Sequence, residues 1–175
     1  MLSEPEYSGE AVADLLMEPK FLPESGLIPS LKVSGGSAHR EWKSEVISGK
    51  AGNRFRVVLR QTVQDRDDFS VVLLHLPAER SGEFTLTRYN GNHGQHSNPL
   101  EGGQKFTGMH IHRATERYQL RKGAKAEHYA EPTDRYSDLR GALDCMMEDC
   151  AFVLPPAAQA QLRFLGEDDY DGNGS

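Results

Sequence analysis

Cysteine is scarce in this chain. Its two thiols, Cys145 and Cys150, stand five residues apart in a segment whose pattern predicts a helix, well over a quarter turn apart around it, a poor geometry for a disulfide. Buried free thiols are expected there, not a redox pair. Long apolar runs are lacking too. None approaches the roughly 20 residues that a membrane-spanning helix needs. The opening MLSEPEYSGE is acidic and lacks the basic start and apolar centre of a secretory leader. These two absences lead to the expectation of a cytoplasmic protein with no membrane partner. Positive charge is also in deficit, with 20 Lys and Arg against 26 Asp and Glu and a net charge of −6. That balance argues against non-specific nucleic-acid binding by the chain as a whole.

The deficit is unevenly spread. Between Arg88 and Lys125 seven Lys and Arg stand against two acids, a local charge of +5. Between Glu131 and Cys150 six acids stand against two arginines, a local −4, and Glu167 to Asp171 adds four more acids. The basic stretch is also where histidine concentrates: four of the seven, His93, His96, His110 and His112, lie between Arg88 and Arg117. Histidine is the side chain whose ordinary pKa, about 6.5, lies in the physiological range. A function of this chain is therefore expected in that stretch.

The rest of the pattern supplies a scaffold. Residues 8–18 read as a helix capped by Ser8, with Ala11 and Leu15 on one face and Pro19 ending it. Residues 20–36 read as a loop with one short extended piece near Leu31–Val33, and residues 40–47 as a strand anchored by Trp42. In residues 54–63 Arg54, Arg56 and Arg60 interleave with Phe55, Val57 and Leu59, the alternation of a half-buried strand. Residues 69–76, FSVVLLHL, are nearly all apolar and predict a central strand in which His75 is structural. Strands over 84–89 and 109–113 flank an eighteen-residue connection, 90–107, rich in glycine and asparagine. Loops of that length tend to be functional. A last short strand over 126–130, a helix over 138–150 capped by Ser137, a helix over 156–165 and a disordered acidic tail over 167–175 complete the reading. The architecture expected is α+β: one domain over residues 1–166, an antiparallel sheet of four to six strands with flanking N- and C-terminal helices in two layers.

His110 and His112, at i and i+2 of a strand, are expected on one face, with Met109, Ile111 and Arg113 on the other. His93 and His96 lie in the connection that could fold over them. Three chemistries compete. One or two histidines act as general acid and base while arginine holds a phosphate, as metal-independent RNA cleavage requires. Alternatively, three or four of the histidines bind a zinc-like metal, with no cysteine nearby to complete a finger. In the third reading the histidines only tie the long loop to the sheet, as in a non-catalytic binding or regulatory module.

The strings RYNG-x-H-x-x-H-x-NP-x-E (88–101), HIHRATERY (110–118) and YAEPTD (129–134), with a helix ending at Cys150, resemble a bacterial domain family of unknown function. The segments LLME (15–18) and VVLLHL (71–76) have counterparts there, so the likeness spans roughly residues 10–152. More distantly, Arg88-Tyr89-Asn90, the His93–His96 loop, His112 and the helix over 138–150 resemble TumE-type toxins of toxin–antitoxin loci. Those pair an RYD-type strand end with a GDHxH-type loop; here the loop reads NHGQHSNP and the chain is much longer. The resemblance implies a site at Arg88, His96, His110 and His112 and an antitoxin-like protein partner. The combined expectation is a bacterial, ribonuclease-like domain acting on RNA without metal or other cofactor. Arg88, His96, His110 and His112 would be catalytic, and Tyr89, His93, Asn98, Arg113 and Arg117 would bind substrate.

Overall fold

The structure is a computed structural model that describes residues 5–27, 32–36, 38–79 and 81–155. The expected helix over 156–165 and the acidic tail lie outside the described residues.

The helix α1 (Gly9–Met17) forms where the apolar spacing predicts it, and Ser8 Oγ accepts the Ala11 N–H at 3.1 Å as its N-cap. Its buried Val12 and Leu15 face a sheet assembled from β1 (Lys20–Phe21), β2 (Lys32–Gly35), β3 (His39–Lys43), β4 (Ile47–Gly49), β5 (Arg54–Thr62), β6 (Phe69–His75), β7 (Phe84–Asn90), β10 (His110–Arg113), β11 (Tyr129–Pro132) and β12 (Phe152–Val153). Between β7 and β10 lie two further short strands, β8 (His96–Ser97) and β9 (Lys105–Phe106), paired only with each other. The helix α2 (Glu116–Gln119) and the longer α3 (Leu139–Asp149) follow β10 and β11. The class is α+β, and all the pairings but one are antiparallel; β1 and β12 run parallel.

The sheet is wider than the sequence predicts, with ten strands among the described residues instead of four to six. The reason lies on the outer edge of β5. There β3 and β4 line up one after the other, interrupted at Ser44, whose Oγ accepts the Val57 N–H at 3.0 Å. From this break the sheet forks, β3 leading to β2 and β4 to β1 and β12. Strands of two or three residues carry too little alternation to be read from sequence. The central order β5-β6-β7-β10-β11 does follow the predicted strands, with β6 inside the sheet between β5 and β7.

One face of the sheet carries the core. Phe55, Val57, Leu59, Phe69, Val71, Leu73, Tyr89 and Ile111 pack there with Leu143, Met146 and Met147 of α3. The N-cap of α3 is Asp138, whose Oδ1 accepts the Gly141 N–H at 2.7 Å, one residue beyond the predicted Ser137. Cys145 and Cys150 are buried free thiols on this side, and burial raises both. His75 stands 3.0 Å from the Tyr7 hydroxyl, in keeping with a structural histidine.

The ammonium of the fully buried Lys20 lies 2.9 Å from the carbonyl oxygens of Leu15, Leu16, Glu18 and Cys150, so its three N–H groups serve four acceptors, one of them shared. One ammonium thus gathers unsatisfied carbonyls at the C-terminal ends of α1 and α3.

Candidate functional site

The second face of the sheet is different in kind. Its only apolar cluster among the described residues is Val58, Val72 and Leu74. Cross-strand register places Val58, Val72, Arg88, His112 and Ala130 in one row, and Arg60, Ser70, Asn90, His110 and Pro132 in the next. Polar side chains thus occupy the inner strands β7 and β10. Because successive side chains alternate, Ile111 serves the core while His110 and His112 project together on the opposite side.

The connection from Gly91 to Met109 folds back over these rows. Its start is pinned by the Asn92 N–H, which donates to Asp67 O at 2.7 Å. The backbones pass so closely that a Cβ on Gly91 would stand 1.9 Å from Asp67 O, so only glycine fits. Further on, Asn98 acts as a bracket: its Nδ2 donates to Ala130 O at 2.7 Å and its Oδ1 accepts the Ala130 N–H at 3.0 Å. Beyond it, Arg117 donates to Glu101 at 2.8 Å and to Leu100 O at 2.9 Å, and the Tyr118 hydroxyl donates to Glu101 at 2.7 Å. The loop is therefore tied at its start and through its middle, and near its end the Gly108 N–H donates to Asn92 Oδ1 at 3.3 Å.

Folding it back brings five imidazoles together. His96 lies 4.8 Å from His112, 5.5 Å from His110 and 5.0 Å from His128 between ring centroids, and His93 lies 5.0 Å from His110. Possible ligand nitrogens of His93, His110 and His112 all fall within 4.8 Å of one another.

The tautomers are fixed by their partners. His110 Nδ1 donates to Gly108 O at 2.7 Å, and His112 Nδ1 donates to Glu127 O at 2.9 Å. Each therefore carries its lone pair on Nε2. Asn90 Nδ2 donates to His93 Nε2 at 2.6 Å and approaches His110 Nε2 at 3.4 Å, so both Nε2 lone pairs are turned toward Asn90, whose own Oδ1 is buried without a hydrogen-bond partner among the described residues. His112 Nε2 is buried without a hydrogen-bond partner among the described residues. Burial, reinforced by the neighbouring Arg88 charge, lowers His112 to about 2, and burial lowers His110 to about 4. Both are neutral at physiological pH. Burial lowers His96 as well, and its Nε2 donates to Asn98 Oδ1 at 3.3 Å.

Arg88 shares the face of His112, its cross-strand partner, and its guanidinium lies 3.7 Å from Glu127. The tyrosine beside it does not join them. Tyr89 points into the core and donates its hydroxyl to Asp149 at 2.7 Å. Arg113 alternates onto that same side, at the exposed end of β10. Arg117 is spent on Glu101 and holds the loop from outside. Of the nine residues expected from sequence, Arg88, His93, His96, His110 and His112 converge, Asn98 braces them, and Tyr89, Arg113 and Arg117 stand apart.

Two members of the neighbourhood escaped the sequence reading. Asn90, fully buried, links two imidazoles, and its turn-like sequence context NGN masks it as a loop residue. His128 packs on the Tyr118 ring at 5.0 Å and donates Nε2 to Ser97 O at 3.2 Å. Sixteen residues from His112, it carries no spacing signal. No helix among the described residues is long and apolar enough to cross a membrane. No protein-family model matches the chain, and neither a curated protein nor a solved structure matches it.

Proposed function

We propose that His93, His110 and His112 hold a divalent transition-metal ion of the zinc class, and that the protein uses this centre to act on a bound substrate. The observation that carries the reading is His112 Nε2, a buried lone pair without a partner among the described residues, beside His93 and His110, whose Nε2 lone pairs face Asn90 Nδ2 and would turn from it to the ion. Burying such a group without a partner costs about 1–3 kcal/mol. Metal-ligating histidines characteristically donate their other ring N–H to a carbonyl or carboxylate, as His110 and His112 do. Neutral imidazoles need lose no proton to bind a metal. Nitrogen-only ligation suits zinc, copper, nickel or iron, and three histidines with an open position is a pattern of catalytic zinc, which acidifies a bound water. His93 comes from the loop and not the sheet, so it is the ligand that can adjust to the ion.

The test is elemental analysis after zinc loading and desalting. The wild-type chain should retain one equivalent, and His110→Ala and His112→Ala should retain none while keeping their circular dichroism. A wild-type chain that retains no metal overturns the reading.

A second reading, metal-independent cleavage of RNA with an antitoxin-like protein as partner, rests on Arg88 lying across from His112, an arrangement suited to a phosphate. Against it stand the low proton affinities of His110 and His112, since proton transfer is most efficient when the pKa lies near the working pH. RNA cleavage undiminished by a chelator would favour this reading over the metal.

A further inference from the structure

Beside the histidines lies a cleft of about 170 Å³, open on the same face of the sheet. Its lining includes Arg60, Ser70, Arg88, Asn90 and His93. Asn90 and His93 join it to the proposed metal ligands, being hydrogen-bonded to each other and, through Asn90, reaching His110. The register row Arg60, Ser70, Asn90, His110 runs straight across the sheet from the cleft to the histidines.

The donors in this cleft are incompletely used. Arg60 gives its Nε to Glu41 at 2.5 Å, and its terminal amino groups have no partner among the described residues. Arg88 Nε is buried and unpartnered, and its nearest acid, Glu127, is at 3.7 Å. The cleft's carboxylate, Asp68, already accepts the Thr62 hydroxyl at 2.7 Å, and Thr62 Oγ1 lies 3.3 Å from His39 Nδ1. Two guanidinium groups with donors to spare around a small serine floor match a tetrahedral anion, because the planar fork of arginine contacts phosphate oxygens in pairs. At about 30 Å³ per water, the volume is that of about five or six waters, room for a tetrahedral anion with some of its bound water.

We infer that this cleft seats a phosphate group of the substrate, held by Arg60 and Arg88 with the reacting bond turned toward His93, His110 and His112. The inference rests on the metal reading above, and it names the substrate class as phosphate esters.

Calorimetric titration of the zinc-loaded protein with inorganic phosphate tests it, with acetate as the comparison anion. Phosphate should bind and acetate should bind at least tenfold more weakly. Arg60→Gln changes an exposed side chain and should weaken phosphate at least tenfold while one equivalent of zinc is retained. Ser70→Asp, which places a carboxylate on the floor, should abolish phosphate binding at unchanged zinc content. Equal binding of acetate, or phosphate affinity indifferent to both substitutions, overturns the phosphate cleft and leaves the metal centre standing. Failure to retain zinc overturns the metal centre itself, and the cleft proposal with it.

Discussion

Arg88 and His112 face one another across β7 and β10, and Arg88 Nε and His112 Nε2 are both buried without a hydrogen-bond partner among the described residues. A buried donor and a buried acceptor without partners each forgo about 1–3 kcal/mol of compensation for lost solvation. A metal on the imidazole and an anion on the guanidinium would relieve both.

The first prediction concerns stability in the presence of zinc. A ligand that binds only the folded state stabilises it by about 2.7 kcal/mol at one hundred times its dissociation constant. For a domain of this size each kcal/mol raises the melting temperature by about 2–4 °C. Zinc should therefore raise the wild-type transition by several degrees in differential scanning calorimetry, and His112→Ala should show no rise. An equal shift in both proteins would locate the metal elsewhere.

The loop should loosen when its bracket is cut. Asn98 makes two hydrogen bonds to the backbone of Ala130 and receives a third from His96. Replacing it with Ala removes all three, each worth about 0.5–1.5 kcal/mol. Amide exchange should accelerate over residues 91–109 in Asn98→Ala and stay slow in β5, β6 and β7, because local opening need not involve the core. Zinc affinity should fall in the same variant, since His93 rides on that loop. Unchanged exchange would show that Asn98 is dispensable.

Lys20 should be among the most sensitive positions outside the site. Burial lowers its amine to about 8, so at neutral pH it remains an ammonium donating to carbonyls at the ends of α1 and α3. Lys20→Met keeps the volume and strands those carbonyls. A loss of about 1–3 kcal/mol is expected in urea unfolding, the cost of leaving a buried acceptor unsatisfied. A loss below about 1 kcal/mol would mean that water replaces the ammonium.

Asp149 should confer acid sensitivity. Burial raises its carboxyl, but hydrogen bonds from Arg135 and Tyr89 outweigh that and hold it below the ordinary carboxylate range. With the folded-state pKa depressed, the stabilisation is complete above the unfolded value of about 3.9 and is lost as pH falls through the folded value. The pair is partly exposed, so about 1 kcal/mol is expected. Asp149→Asn should be less stable than wild type by that amount at pH 7, and the gap should begin to close as pH falls below about 4. A gap that does not narrow with acid would assign the effect to packing.

The sequence by itself determined the strands and helices long enough to show a period. In β5, three arginines alternate with Phe55, Val57 and Leu59. The continuous apolar run of β6 predicts its central place, and α1 and α3 carry their caps in the chain. The sequence also determined that His110 and His112 share a face, because a strand's side chains repeat every second residue. Neighbouring strands supplied the rest. The two-residue strands β1 and β12 exist through pairing with one another, and Ser44, which breaks the edge of β5, carries no turn signal strong enough to announce a fork. Tyr89 and Arg88 are adjacent in sequence, yet register alone sends the tyrosine to Asp149 and the arginine to His112. Above all, His93 meets His110 only because Gly91 lets the loop pass Asp67 and Asn98 pins it to β11. Contacts closed across the sixteen residues between His93 and His110, whose strands are only two residues long, leave no period to read. They depend on backbone clearances and on hydrogen bonds that exist only after the sheet has formed.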